Sequence, residues 1–311
     1  MYPCRMQPAD DPDVRVGVMI LPEFRWPAAR ARWRAVEDMG FASGWTLDHL
    51  WWRTLRDEPW FSTFPFLTAA ATATGRLRIG TLVTSPNFRH PVLVAKDSMT
   101  IDDVSGGRFT LGVGAGSVGA GDANVIDDQP LSARRRGARF AEFVELVDEL
   151  LRTPVVNHRG EFYLADEART HPGCVQQPRL PLALAATGPR GRGLAARFGD
   201  AWVSCGPLDL SVPSTVDEFF AAVQDQTNTM TRTCEEAGRD PGTLERIVVS
   251  TDTTGELTKS APAFLDHAAR YAAIGIDELV IQWPRDSGVF AGDPAVLEDI
   301  AHDALPHLAR L

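Results

Sequence analysis

Lysine is nearly missing from this 311-residue chain: Lys96 and Lys259 are the only two, and every other basic side chain is arginine. Acidic residues outnumber basic ones, 41 to 31, which leaves a net charge of -10. Such a chain lacks the general basic face that displaces counterions from nucleic acid, so no nucleic-acid partner is expected. An anionic small molecule held in a local arginine pocket remains compatible with it. Cysteine is scarce too. Cys4, Cys174, Cys205 and Cys234 lie far apart without metal-ligand spacing, the pattern of free thiols in a reducing, cytoplasmic setting. No apolar run approaches a membrane span, and the first thirteen residues carry no apolar signal core. His-x-His is absent, and only Asp48 and His49 stand where barrel metal ligands would, so no metal site is expected. Gly-x-Ser-x-Gly is absent as well, since Gly116-Ser117-Val118-Gly119 has the wrong spacing for a nucleophilic hydrolase.

What the chain does have is alternation. The hydrophobic share of 44% suffices for a large core without covalent staples. Val14 to Leu21 reads as a strand buried on both sides, and Ala28 to Met39 has helical spacing that stops at Gly40. The same strand-then-helix order recurs with strands at about Ser43 to Leu47, Leu77 to Val83, Arg108 to Val113, Leu182 to Ala186, Ala201 to Ser204, Arg246 to Thr251 and Glu278 to Trp283. Eight such units predict an α/β fold, a TIM-type (β/α)8 barrel, in one domain over 1–311. The helix from Ser132 to Leu151 is the most clearly amphipathic, with a stripe of Phe140, Phe143, Val144, Val147, Leu150 and Leu151. The rhythm breaks after the fourth unit. Around 153–179, Val155-Val156 and Phe162-Tyr163-Leu164 flank His158-Arg159-Gly160, which predicts a hairpin inserted into the barrel.

Asp48-His49 ends the second strand, and strand ends form the catalytic face of such a barrel. The pair either ties down a loop or does chemistry. Gly112, Gly114 and Gly116 alternate through the end of the fourth strand, where absent Cβ atoms would let a flat ligand lie on backbone. Thr187-Gly188-Pro189-Arg190-Gly191-Arg192 opens a helix after the fifth barrel strand, an arrangement suited to an anion or, more plainly, to a turn with solvated arginines. Arg134-Arg135-Arg136 is a solvated face or an anion clamp. Trp26, Trp51 and Trp52, with Phe24, Trp60 and Phe61, fall in loops after the first two strands and suggest an apolar pocket for an organic substrate, or simply loop packing.

Taken in order, these segments resemble the bacterial-luciferase-like monooxygenase superfamily, in its coenzyme F420-dependent oxidoreductase branch. The likeness runs through Gly40-Phe41 with Asp48-His49, Arg78-Ile79-Gly80-Thr81 with Pro86-Asn87-Phe88-Arg89-His90-Pro91, and Ser105-Gly106-Gly107-Arg108-Phe109 with Leu111 to Gly116. It continues through Ala185-Ala186-Thr187-Gly188 and Gly199-Asp200-Ala201-Trp202. The resemblance implies a homodimer and a non-proline cis peptide near Leu82-Val83 behind the cofactor ring. It implies a cofactor bordered by Gly114, Ala115, Gly116, Ser117, Ala186, Thr187, Gly188 and Arg190. It makes His49 the group beside the reactive carbon, with Asp48 at the ring's polar edge or orienting the imidazole. One departure stands out: Ser117 occupies the place of a Glu that donates a proton in sugar-phosphate dehydrogenases of the branch, leaving Asp122 as the candidate second acid-base group. Coenzyme F420 implies hydride exchange with a hydrophobic organic substrate. The alternatives are FMN with oxygen, as in a monooxygenase, or a barrel without cofactor that serves as a binding or partner subunit.

Overall fold

The structure is a computed structural model and describes residues 14–116, 122–126, 131–207, 214–250 and 255–308. Its strands are β1 (Arg15–Met19), β2 (Ser43–Thr46), β3 (Arg78–Thr81), β4 (Phe109–Gly114), β5 (Val155–Arg159), β6 (Leu164–Arg169), β7 (Leu182–Ala185), β8 (Ala201–Ser204), β9 (Glu245–Val249) and β10 (Glu278–Gln282). All but β5 and β6 close into one barrel in the order β1-β10-β9-β8-β7-β4-β3-β2, with every neighbouring pair parallel. This is the TIM-type (β/α)8 fold that the alternation predicts. Helices α1 (Trp26–Asp38), α2 (Thr63–Ala73), α3 (Pro91–Ser105), α4 (Ala123–Ile126), α5 (Ala133–Arg152), α6 (Pro189–Phe198), α7 (Val216–Glu236) and α8 (Ala261–Ala273) lie between the strands. The last one, expected from about Pro294, is composite: α9 (Ala295–Asp299) runs through a π-helical turn at Ile300–Ala304 into α10 (Leu305–Leu308).

Side chains alternate along each strand, so every other residue points into the barrel. The lowest inward layer holds Arg15, Ser43, Arg78, Glu245 and Glu278, each the first residue of its strand. Arg15 pairs with Glu245, and Arg78 reaches Glu245 at 3.2 Å and Glu278 at 3.8 Å. These opposite charges plug the end away from the strand C-termini. Above them, Trp45 fills the centre and donates from Nε1 to Glu278 at 2.8 Å. The glycines nearby follow from that indole: a Cβ on Gly80 would stand 2.3 Å from the Trp45 ring and 2.5 Å from the Thr110 carbonyl. Backbone cannot retreat from such a contact as a flexible side chain could. Gly80→Ala is therefore expected to lower unfolding stability by about 1–3 kcal/mol, the usual cost of overpacking a filled core. A denaturant midpoint equal to the parent's would show that the indole does not impose the glycine.

The insertion is a hairpin, β5 with β6 antiparallel, but its turn falls later than the sequence predicts. His158 and Arg159 belong to β5, and the turn covers 160–163. The cause is Glu142 on α5, whose carboxylate collects the N–H groups of Glu161 (3.0 Å), Phe162 (3.0 Å) and Tyr163 (2.9 Å) and contacts His158 Nε2 at 3.1 Å. Burial pushes this carboxyl up, but those donors outweigh it and hold it below the usual carboxylate range. A Cβ on Gly160 would sit 1.9 Å from Glu142 Oε1, so a larger residue there would displace the carboxylate from the turn. Tyr163 then packs edge-on against His90 at 5.4 Å, at the start of α3. The insertion thus supports the loop that follows β3.

Candidate active site

Asp48 and His49 leave β2 at the C-terminal rim of the barrel, and their side chains part company. Asp48 is completely buried. Arg89 grips its carboxylate with Nε at 3.0 Å and Nη2 at 2.6 Å, and the Thr84 hydroxyl donates to it as well. The guanidinium is itself flanked by Phe64 and Phe88, 4.9 and 4.8 Å from the two ring centroids. Asp97, on α3 nearby, is pushed up by burial first, with Arg89 opposing and the Asp48 charge adding to it. Asp48 therefore ties the β2 end to the loop after β3. The expectation that it orients the imidazole is corrected, because Asp48 bonds Arg89 and Thr84 while His49 Nδ1 contacts Asp122.

The imidazole is held by Asp122 instead. His49 Nδ1 lies 2.5 Å from Asp122 Oδ2, and the other oxygen, Oδ1, accepts the Leu50 N–H at 2.7 Å. The Asp122 side chain is 1% exposed and that of His49 16%, so the carboxylate is enclosed while the ring keeps an open side. A carboxylate only accepts, so in the neutral ring the proton sits on Nδ1 and Nε2 carries the lone pair. Asp122, foreseen as a second acid-base group, thus meets His49 directly. Trp60 backs the imidazole, with ring centroids 6.4 Å apart.

The inward layer at the rim is apolar. Leu82, Val249 and Leu21 are buried there, with Leu47, Trp52, Trp60, Val83, Ala185, Cys205 and Phe290 partly buried against them. Trp52 stacks on Phe290 at 5.8 Å, which joins the loop after β2 to the loop after β10. Nothing in the sequence marks Phe290, since the two loops are far apart in the chain. Trp51 lies under the Arg56 guanidinium at 5.0 Å. Trp26 is not part of this rim: it opens α1 and packs edge-on against Phe66 of α2 at 6.1 Å, in the layer between barrel and helices. Burial pushes the Cys205 thiol up to about 11, so it stays protonated and is a poor nucleophile.

The peptide bond between Leu82 and Val83 is cis, at the position the resemblance implies. The alternate glycines of β4 answer to this irregular strand end more than to a ligand. A Cβ on Gly112 would stand 1.9 Å from the Thr81 carbonyl oxygen, and one on Gly114 would stand 2.7 Å from the Val83 side chain. Gly116 has φ +75 and abuts Asn87, whose carbonyl oxygen accepts from Arg139 at 2.6 Å. Ala115 leans on the outer core, and Ser117 lies outside the described residues.

Gly188 differs from these glycines, because a Cβ there would meet nothing within 4 Å. It is the N-cap of α6 and has no side chain to cap the helix start, where Pro189 brings no N–H of its own. Ala186 is pinned by its carbonyl, which accepts from Trp202 Nε1 at 2.8 Å. Arg192 donates to the Thr187 carbonyl and is thereby committed to the turn, whereas Arg190 is exposed. Uncapped N–H groups, a missing Cβ and a free-standing guanidinium fit an anionic group.

A sequence profile described as luciferase-like monooxygenase matches residues 11–299. The chain is 29% identical to the F420-dependent hydroxymycolic acid dehydrogenase of Mycobacterium tuberculosis, across 97% of this chain and 84% of that one. It is 35% identical to the 4-hydroxyprotoasukamycin monooxygenase of Streptomyces nodosus subsp. asukaensis, over 62% of this chain but only half of that protein's length. In fold it resembles an F420-dependent secondary alcohol dehydrogenase solved with an F420-acetone adduct, with a TM-score of 0.77, 19% identity, and coverage of 95% of this chain and 99% of the other.

Proposed function

Since the chain belongs to the luciferase-like monooxygenase family, we propose that it is an oxidoreductase that exchanges hydride between coenzyme F420 and a hydrophobic organic substrate. The observation that carries this reading is a strand-end imidazole, His49, with an open side in an apolar rim, in a chain similar over 97% of its length to an F420-dependent dehydrogenase. When bound, coenzyme F420 supplies a ring carbon that takes or gives a hydride. His49 exchanges the accompanying proton with the substrate oxygen through Nε2. Leu82, Val83 and Ala185 form the wall for a flat ring, and Trp52 with Phe290 shapes the space for the substrate. The uncapped start of α6, with Thr187, Gly188 and Arg190, holds the anionic tail. Asp48 serves the site as the anchor of the Arg89 loop and not as an acid or base.

Arg190→Ala is expected to weaken F420 binding by roughly tenfold at low salt and by less at high salt, because an exposed guanidinium is screened. Equal affinity across the salt range would move the tail elsewhere. The function itself is tested by incubating the protein with F420 and hydrophobic secondary alcohols in the absence of oxygen. Loss of the oxidised deazaflavin absorption supports the reading. A second reading, an FMN-dependent monooxygenase, draws on the 35% identity to a monooxygenase, and product formation that needs reduced FMN and oxygen would put it first. We further read the chain as one barrel domain acting as a cytoplasmic homodimer. Among the described residues, no helix is long and apolar enough to cross a membrane.

A further inference from the structure

We infer that Asp122 is a positioning residue that fixes the tautomer of His49, so that Nε2 is the nitrogen that accepts the substrate's proton. The inference rests on the hydride-transfer reading for its chemical consequence. Its structural core does not depend on that reading. Asp122 makes two contacts from one carboxylate: Oδ2 to His49 Nδ1 at 2.5 Å and Oδ1 to the Leu50 N–H at 2.7 Å. The second contact fixes the carboxylate relative to the backbone that carries His49, so the first cannot rotate away. With its side chain only 1% exposed, Asp122 has little water to compete for either contact.

The consequence follows from the proton inventory of imidazole. A neutral ring carries one N–H, and Asp122 places it on Nδ1. Nε2 is then an acceptor, poised to take the hydroxyl proton of an alcohol while the carbinol carbon would give its hydride to coenzyme F420 and the C=O bond would form. The imidazolium produced is stabilised by the adjacent carboxylate. A single nitrogen with a fixed role can thus receive the substrate's proton and later release it to solvent. This arrangement serves oxidation of a hydrophobic alcohol, or the reverse reduction of its carbonyl product.

Two substitutions at Asp122 separate this role from a structural one. Asp122→Asn keeps an oxygen for the Leu50 N–H but presents an NH2 to Nδ1, which forces the ring proton onto Nε2. Asp122→Ala removes both contacts and leaves the tautomer free. If Asp122 sets the tautomer, the asparagine variant folds at least as stably as the alanine variant yet turns over more slowly. With 2-octanol and F420 we expect kcat reduced by roughly 10³-fold in Asp122→Asn and by roughly 10-fold to 10²-fold in Asp122→Ala, with KM little changed. A purely structural Asp122 would give the opposite order.

The tautomer is also read without turnover. Long-range 15N–1H correlation of the imidazoles, with the His49 signals identified by their loss in His49→Gln, should show the Nδ1–H form in the parent and the Nε2–H form in Asp122→Asn. The same tautomer in both proteins, or an alanine variant as slow as the asparagine one, overturns the inference. A protein that binds FMN and not F420 would overturn the hydride reading, while the ring nitrogens would still decide the dyad.

Discussion

His49→Ala is expected to retain F420 binding within about twofold and to lose turnover by on the order of 10²-fold or more, the scale of a group that moves a proton in the transition state. The two halves of that result have different origins. The anionic tail is assigned to the start of α6, and the flat wall to Leu82, Val83 and Ala185, none of which the His49 ring supports. Removing the imidazole would therefore leave the proposed cofactor contacts in place. It also leaves Asp122 with an unpaired oxygen in an enclosed site, so a modest loss of stability accompanies the loss of rate. Turnover is measured from the change in deazaflavin absorption and affinity by fluorescence titration. Unchanged turnover would remove His49 from the chemistry, and a large loss of affinity would make it a binding group.

Asp48→Asn should give the largest loss of stability of any substitution at the site, about 3 kcal/mol or more. Asparagine offers the Arg89 guanidinium one acceptor where the carboxylate offered two, and no charge. Arg89 would remain between Phe64 and Phe88 in a largely buried place, with only the nearby Asp97 to offset its charge. Breaking such a pair from one side is costly because the surviving partner cannot return to water. The loop after β3 carries Asn87, Arg89 and His90, each bonded to or packed on a different element, so its loosening would also disturb the wall at Val83. Urea unfolding with and without F420 checks this expectation. A shift below about 0.5 kcal/mol would reduce Asp48 to an ordinary surface-type pair.

The barrel is legible in the sequence because burial on both faces writes each strand as an apolar run and each helix as a 3.6-residue stripe. The amphipathic stripe of α5 and the break after the fourth unit both appear where the sequence puts them. The hairpin turn was not legible, because Glu142 sets it from another element through backbone N–H groups that leave no mark on the sequence of the turn. At the site, Asp48-His49 marks the right place but not the division of labour. Adjacent residues at a strand end face different ways, and only the fold brings Arg89 to the one and Asp122 to the other. The alternate glycines of β4 illustrate a different limit. A glycine is required wherever a Cβ would collide, and the sequence does not say whether the obstacle is a ligand or, as at Gly112, the carbonyl of Thr81. Trp26 and Phe290 are a matching pair of cases: a loop aromatic that packs outside the barrel, and an unmarked one that closes the rim.

The central claim is that this apolar rim, with its imidazole and anion-binding helix start, is built for coenzyme F420. Parallel fluorescence titrations of the protein with F420 and with FMN test it most directly. The account predicts saturable F420 binding at least roughly tenfold tighter than FMN, about 1.4 kcal/mol, with the difference reduced by added salt. Tight FMN binding without measurable affinity for F420 would contradict it.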